Sequence, residues 1–156
     1  MKKFLSIIAL TILLAAVNVA IVHAARWNPQ EDARNFPQEV VRLVNIERAK
    51  VGAAPLKFAH DLEASAYVRA TELPTKFSHT RPNGSKCFTA MPQRGHVLGE
   101  NLAGGQTSPK QVVQAWMDSK THRENMLSKK YTEIGVVYYY QSKSRYKHYW
   151  VQHFRG

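Results

Sequence analysis

Apolar residues recur at spacings of three and four in the first half of the chain and predict two amphipathic helices. From Pro37 to Gly52, which ends the first helix, the inward positions are Val40, Leu43, Val44 and Val51, and the outward ones are Glu39, Arg42, Glu47 and Arg48. Residues 55–58 form a short extended linker. The second helix covers residues 61–73, and its inward positions are Leu62, Ala66, Ala70 and Leu73. Pro74 ends this second helix.

The third quarter of the chain alternates loop signals with short regular segments. Residues 75–96 are rich in loop formers, and the Arg-Pro-Asn-Gly run at 81–84 predicts a turn. Residues 97–102 predict a short strand, which two glycines end. Ser108 followed by Pro109 then predicts a helix start, because serine caps helices and proline fits their first turn.

The last quarter predicts one more short helix and a β-hairpin. Thr121 and Glu124 have the spacing of a capping box, which would start a helix with His122 on its first turn. Two β-rich runs follow, at about 134–140 and 147–154, joined by a polar segment. Helices first, a strand among helices and a terminal hairpin together predict an α+β domain with a small antiparallel sheet covered by helices.

The N-terminal 24 residues have the pattern of a secretory signal peptide. Lys2 and Lys3 precede a mostly apolar run at 5–21, and Val22 and Ala24 fit the small-residue rule at a cleavage site. We therefore expect export, either as a secreted protein or as one associated with the cell envelope. The alternative is an uncleaved membrane anchor, because the apolar run approaches the length that spans a bilayer. Residues 25–36 lack periodicity and predict an N-terminal arm.

The mature chain is long enough for one domain and is strongly basic. Loss of the two leader lysines leaves 20 basic against 11 acidic residues, a net charge of +9. Outside the cell this charge favours anionic envelope polymers or lipid head groups over nucleic acid. The basic residues are nevertheless scattered along the sequence, which also fits an ordinary solvated surface. We expect a monomer without nucleic-acid partners.

Cys87 is the single cysteine, so an intramolecular disulfide is excluded. Its thiol is expected either to be buried as a small apolar group or to pair with another chain.

Three polar residues in unusual local sequences are the candidate chemistry. They are His79 in FSHTRPNG, Glu100 in LGENLAGG and His122 in WMDSKTHRENML. Imidazoles and carboxylates hold divalent cations and move protons near neutral pH. Each lies about 20 positions from the next, so only a fold can bring them together. Beyond the predicted leader, the other histidines are at positions 60, 96, 148 and 153, and their places at a helix start, in a loop or on a strand face give no reason to expect ligands.

The segments LVNIERAKVGAAPL, GENLAGG, HRENML, IGVVYYY and YWVQHF resemble the CAP superfamily, named for cysteine-rich secretory proteins, antigen 5 and pathogenesis-related 1 proteins. More narrowly, the chain is similar to the short bacterial SCP-like branch. The resemblance covers residues 37–156 and implies an α-β-α sandwich. It also implies an open cleft lined by two histidines and two acidic residues, some of which bind a divalent metal. Many eukaryotic members carry several disulfides, which this chain lacks.

Carried over residue by residue, the resemblance assigns His79, Glu100 and His122 to three positions of that cleft. The position of the second acidic residue falls on Ser119. Two imidazoles and one carboxylate still offer three ligands, the number found in a catalytic zinc site. In so basic a protein we expect weak, pH-dependent binding of Zn²⁺ or another divalent cation. Asp118 and Glu124 are the nearby carboxylates that could substitute.

A purely structural alternative stays open, in which His79 only hydrogen-bonds Glu100 and closes the loop onto the strand. Arg81 and Arg123 flank the cleft histidines and either bind an anion or are solvated. Asn101 and Asn125 are expected to fix loops through side-chain hydrogen bonds to the backbone.

The residues leave enzymatic activity open but favour a binding role. The sequence lacks the G-x-S-x-G, H-E-x-x-H and Cys-His signatures, so we expect a non-enzymatic module whose cleft binds a lipid, glycan or peptide. The alternative is an extracellular hydrolase or peptidase. In it, Glu100 or a histidine acts as the general base that activates either a water molecule or Ser119 as the nucleophile. A third hypothesis is an electrostatic adhesin that contacts an anionic surface.

Overall fold

The computed structural model describes residues 33–92 and 95–156. The predicted leader at 1–24 and residues 25–32 of the predicted arm lie outside the described residues. After a 3₁₀ turn at Ala33–Asn35, the helices are α1 Phe36–Lys50, α2 His60–Glu72, α3 Pro109–Asp118 and α4 Lys120–Leu127. The strands are β1 Lys57–Phe58, β2 Leu98–Gly104, β3 Glu133–Tyr140 and β4 His148–Arg155, and a second 3₁₀ helix covers Cys87–Ala90.

The four described strands form one mixed sheet in the order β1-β3-β4-β2. The hairpin strand β4 lies between β3 and β2 and is antiparallel to both. The predicted linker at 55–58 contains the two-residue strand β1, which pairs parallel with β3 through Lys57 opposite Glu133. The sheet is therefore antiparallel except for this short edge strand.

Helices cover both faces of the sheet. Alternate residues of a strand point to opposite faces, and the core divides accordingly. One face packs against α1, α3 and α4 through residues that include Val136, Trp150, Phe154, Val44 and Trp116. The other face packs against α2 through residues that include Val137, Val151, Ala66 and Ala70. This α-β-α sandwich confirms the predicted α+β class.

Arg48 is buried, and the prediction that it faces outward is wrong. It follows Val44 by four residues, so its side chain lies on the same inward face of α1. Its guanidinium donates hydrogen bonds to the carbonyl oxygens of Ala54 at 2.8 Å, Met126 at 2.7 Å, Ser128 at 2.9 Å and Tyr131 at 3.3 Å. The predicted inward Val51 is instead 48% exposed, because α1 ends one residue before it.

The two helix starts that the sequence signalled differ in outcome. Ser108 caps α3, and its hydroxyl oxygen accepts a hydrogen bond from the Gln111 amide at 3.3 Å. The capping box at Thr121 is wrong, because α4 begins at Lys120 with Ser119 as its N-cap. Ser119 alone separates α3 from α4, so Thr121 already lies within the first helical turn, as does His122.

Candidate functional site

The loop that carries His79 is folded back on itself by a tight turn. Thr80 and Lys86 form an antiparallel bridge, and the Cys87 amide donates to the His79 carbonyl at 2.9 Å. Gly84, with φ of 87°, closes the turn that the Arg-Pro-Asn-Gly run predicted. The fold thus holds His79 and Cys87 side by side above strand β2.

The Glu100 carboxylate, on β2, is the centre of a buried hydrogen-bond network. Its side chain is 1% exposed. Oε2 accepts from Arg69 Nε at 2.9 Å and from His153 Nε2 at 3.1 Å, and Oε1 accepts from His79 Nδ1 at 2.8 Å. The predicted pairing of His79 with Glu100 is therefore present in the structure.

Charge and hydrogen bonding keep this carboxylate ionised. Burial alone would raise the pKa of Glu100, but the hydrogen bonds from His153, His79 and Arg69, together with the Arg69 charge, hold it well below its ordinary range. Burial lowers the pKa of His153 and outweighs the opposing effect of Glu100. A neutral His153 with its proton on Nε2 can accept a hydrogen bond at Nδ1 from the Ser65 hydroxyl, 2.7 Å away.

The same network fixes how His79 faces solvent. An ionised carboxylate only accepts hydrogen bonds, so the proton on His79 must lie on Nδ1, and Nε2 is left as the nitrogen that can bind a ligand. The His79 side chain is 58% exposed. It borders an open cavity of about 410 Å³ whose lining includes Cys87, Phe88, Leu98, Asn125 and Tyr131.

His122 lies near His79 without joining the hydrogen bonds around Glu100. Burial and the nearby His79 charge lower the pKa of His122. Asn101 Nδ2 donates to the His122 carbonyl at 3.1 Å, and Asn125 Nδ2 donates to the Glu100 carbonyl at 3.4 Å. The predicted side-chain hydrogen bonds to backbone are present, but they join helix α4 to strand β2 and do not fix loops, because both asparagines lie in regular elements.

The remaining candidate residues make no direct hydrogen bond to Glu100 among the contacts described. Ser119 is the junction between α3 and α4, and its carbonyl accepts from the Arg123 amide at 2.9 Å. Asp118 accepts a hydrogen bond from Gln114 at 2.8 Å and borders a different hollow, and Glu124 is exposed. Arg81 is neither a free anion site nor solvated, because it binds Glu72 through Nη2 at 2.7 Å and Nε at 3.0 Å.

The donor groups around His79 fit a metal ion only in part. Among the described residues, His79, Cys87 and Glu100 form a group whose ligand atoms lie within 4.8 Å of one another. However, three donors already occupy the Glu100 oxygens, and burial, with the Glu100 charge, raises the pKa of the Cys87 thiol to about 12. A protonated, buried thiol is a poor ligand. The imidazole of His79, through Nε2, is the available donor of this group.

Arg69 and His153 are the site residues that the sequence reasoning missed. Arg69 follows Leu62 by seven residues and Ala66 by three, so it lies on the apolar face of α2, where a charge requires a buried partner. His153 lies in a strand in which all but the first residue are buried. The sequence pattern could have indicated that Arg69 and His153 are buried. It could not have identified Glu100 as their common partner.

The sequence matches the model of a known family. The model of the cysteine-rich secretory protein family, CAP, matches residues 41–154. This chain therefore belongs to the CAP family, and the resemblance seen in the sequence is confirmed.

Two proteins of Bacillus subtilis are similar in sequence. The uncharacterized protein YkwD is 39% identical over 108 residues, which cover 66% of this chain and 42% of that protein. The uncharacterized membrane protein YlbC is 29% identical over 108 residues, which cover 64% of this chain and 30% of that protein. The chain thus spans less than half the length of these relatives.

Solved structures share the fold at low sequence identity. An outer surface protein of Borrelia burgdorferi has a TM-score of 0.69 at 21% identity, covering 78% of this chain and 92% of that one. An extracellular protein containing an SCP domain, from Bacillus anthracis, has a TM-score of 0.67 at 22% identity, covering 78% of this chain and 41% of that one. None of the helices among the described residues combines the length and apolar character needed to cross a membrane.

We expect His122 to titrate below the ordinary histidine pKa, and His79→Gln to raise its pKa by removing a neighbouring positive charge. The His122 pKa should stay below the ordinary value in that variant, because burial is the larger cause. NMR titration of the ring carbon-bound protons measures both. His60→Gln is the control, because the His60 side chain is 87% exposed on another part of the surface. A His122 pKa that His79→Gln leaves unchanged would contradict the proximity of the two rings.

Proposed function

We propose that this CAP domain is an exported, non-enzymatic module that binds a lipid, glycan or peptide in the cavity beside His79. The observation that carries the proposal is the network around Glu100. One carboxylate oxygen accepts from Arg69 and His153, and the other accepts from His79 Nδ1 and so orients this imidazole at the mouth of an open cavity. An oriented imidazole beside a cavity lined by both apolar and polar groups is an arrangement suited to orienting a ligand.

Glu100, Cys87 and Ser65, three groups that a hydrolase could use, are poorly prepared for that work. A general base works best when its pKa lies near the operating pH, and that of Glu100 is far lower. The Cys87 thiol has its pKa raised to about 12, so it is a poor nucleophile. Ser65 lies beside His153 in an arrangement of nucleophile, imidazole and carboxylate, but all three side chains are buried, out of reach of substrate.

Within this proposal, a divalent cation binds weakly and through imidazoles. Zn²⁺ would be held by His79 Nε2 and His122, with Glu100 orienting His79 from behind rather than acting as a ligand. When bound, the ion would supply a positive charge that polarises or attracts an anionic part of the ligand. Binding should weaken below about pH 6, because imidazoles must be neutral to coordinate a metal.

Zinc titration by calorimetry tests the role of the imidazoles. We expect weak binding that His79→Ala and His122→Ala each abolish, and that Glu100→Gln weakens by about tenfold or more through loss of the orienting hydrogen bond. His60→Gln, an exposed histidine elsewhere, should leave binding unchanged. Zinc binding that survives both alanine substitutions would contradict this metal site without affecting the ligand proposal.

The ligand proposal is tested with three probes: dodecyl phosphate, a disaccharide peptidoglycan fragment and an extended hexapeptide. We expect one of them to shift the amide NMR signals of Cys87, Glu100 and Asn125, and His79→Ala to weaken that binding. Product analysis of the same mixtures by mass spectrometry measures turnover. Turnover lost in His79→Ala and Glu100→Gln would replace the proposal by the hydrolase alternative, and shifts confined to other surfaces would remove the cavity from it.

A further inference from the structure

The loop of the terminal hairpin, residues 141–147, carries a dense group of positive charges. Lys143, Arg145 and Lys147 are all exposed. Among the described residues, no ion pair joins any of them to a carboxylate. The chain contains no aspartate or glutamate after Glu133, so the hairpin has no acidic residue beyond the start of its first strand. Three of the 22 lysines and arginines thus lie together in the loop at one end of the sheet.

The loop is held in one conformation rather than being a loose basic tail. The Gln141 amide donates to the Lys147 carbonyl at 2.8 Å, and the Ser144 amide donates to the Gln141 carbonyl at 3.1 Å. Lys147 has a φ of 61°, a left-handed conformation that costs a non-glycine residue about 1 kcal/mol or more. Because the backbone is already ordered, binding through these cations loses less conformational entropy.

An aromatic platform, formed by Phe77 and Tyr146, lies beside one of the three cations. The Arg145 guanidinium lies over the Tyr146 ring, 5.2 Å from its centroid. Phe77, which is 41% exposed, lies 5.0 Å from Tyr146 between ring centroids. Gly104 at the end of β2 leaves room for both rings, since a Cβ there would lie 2.9 Å from Tyr146 Cγ. The platform lies four residues along β2 from Glu100, or about 13 Å.

We propose that this cationic loop, together with Phe77 and Tyr146, is a docking surface for a phosphate-bearing anionic polymer outside the cell. Charge complementarity selects a polyanion, and exposed rings beside cations can pack against the polyol or sugar units between phosphates. A bilayer surface fits less well. Membrane attachment typically needs four or more clustered cations or an apolar face to insert, and residues 141–147 offer three cations among Gln141, two serines and the half-buried Tyr146. The surface is separate from the cavity beside His79.

Binding of the purified secreted protein to immobilised poly(glycerol phosphate), at low and moderate salt, tests this surface. The variant K143Q/R145Q/K147Q should bind at least about tenfold more weakly than the wild type and show a shallower salt dependence. The control K57Q/K120Q/K129Q removes the same charge from exposed lysines outside the loop, with Lys57 opposite Glu133 at the far end of β3, and should change affinity less than about threefold. Thermal unfolding should be similar for both variants, because none of the six side chains is buried.

Three results would overturn the proposal. Equal losses in the two triple variants would show that net charge alone attracts the polymer. Absence of binding to poly(glycerol phosphate), with binding to phosphatidylglycerol vesicles, would assign the loop to a membrane surface instead. Loss of polymer binding in His79→Ala would place the polymer in the cavity rather than on the loop. We expect His79→Ala to retain polymer binding. This result would separate the docking surface from the proposed ligand-binding function of the cavity.

Discussion

Arg69→Met should lower the free energy of unfolding by about 3 to 5 kcal/mol, the range typical when one partner of a buried ion pair is removed. The Arg69 side chain is fully buried and donates to Glu100, to Glu72 and to the Ser78 carbonyl. Methionine keeps most of the side-chain volume but leaves the Glu100 carboxylate buried beside two histidines only. Urea denaturation followed by circular dichroism measures the loss.

The matched control is Arg42→Met, which removes a helical ion pair with Glu39 on the surface. The Arg42 side chain is 58% exposed, so this substitution should change stability by less than about 1 kcal/mol. Similar losses for the two substitutions would contradict a special contribution from the buried network.

The pH dependence of stability offers a second measurement on the same variant. The pKa of Glu100 is lower in the folded than in the unfolded protein, so its contribution is complete above the unfolded value of about 4.3 and is lost as the pH falls further. Arg69→Met removes one cause of that low pKa. The variant should therefore lose less stability than the wild type between about pH 5 and pH 2.

Gly135→Ala should lower the free energy of unfolding by about 3 kcal/mol, near the upper end of typical overpacking effects. A Cβ at this position of β3 would lie against the Glu63 nitrogen and the Leu62 carbonyl carbon, far inside van der Waals contact. Both are backbone atoms of α2, so no side-chain rotation can relieve the clash. The helix must move away from the sheet, and urea denaturation measures the cost.

Gly52→Ala is the control for losing a glycine without a clash. Nothing lies within 4 Å of a Cβ at Gly52, and its φ of 64° should cost alanine about 1 kcal/mol through backbone strain alone. If Gly135→Ala lowers the free energy of unfolding by no more than Gly52→Ala does, then α2 packs less closely on β3 than the structure shows. Movement of α2 should also disturb Arg69, and hence the NMR signals of Glu100 and His79.

Local elements followed from the sequence because their causes are local. The helical spacing of Val40 and Val44, the Ser108-Pro109 start and the two β-rich runs at the end each depend on neighbours within a few residues. The parallel pairing of Lys57 with Glu133 did not, because its partner lies 76 positions away and the strand is only two residues long.

The burial of charged residues on the helices was harder to predict than the helices themselves. The sequence pattern predicted an outward-facing Arg48 and did not single out Arg69, but both are buried. Their positions relative to Val44 and Leu62 placed them on inward faces, but long cationic side chains near such a face usually reach solvent. Burial required several acceptors at once, some of them distant in sequence. Arg48 binds four carbonyls, three of them 78 to 83 positions away, and Arg69 binds the carboxylates of Glu72 on its own helix and of Glu100, 31 positions away.

By itself the sequence determined the α+β class, the boundaries of most helices and strands to within a few residues, and the family, since these depend on short-range periodicity and local motifs. Only the tertiary structure decided what Glu100 does. Its partners Arg69, His79 and His153 lie 31, 21 and 53 positions away. Hydrogen bonds and charge interactions act through space over a few ångströms, so the state of a buried carboxylate depends on packing that the order of residues does not reveal.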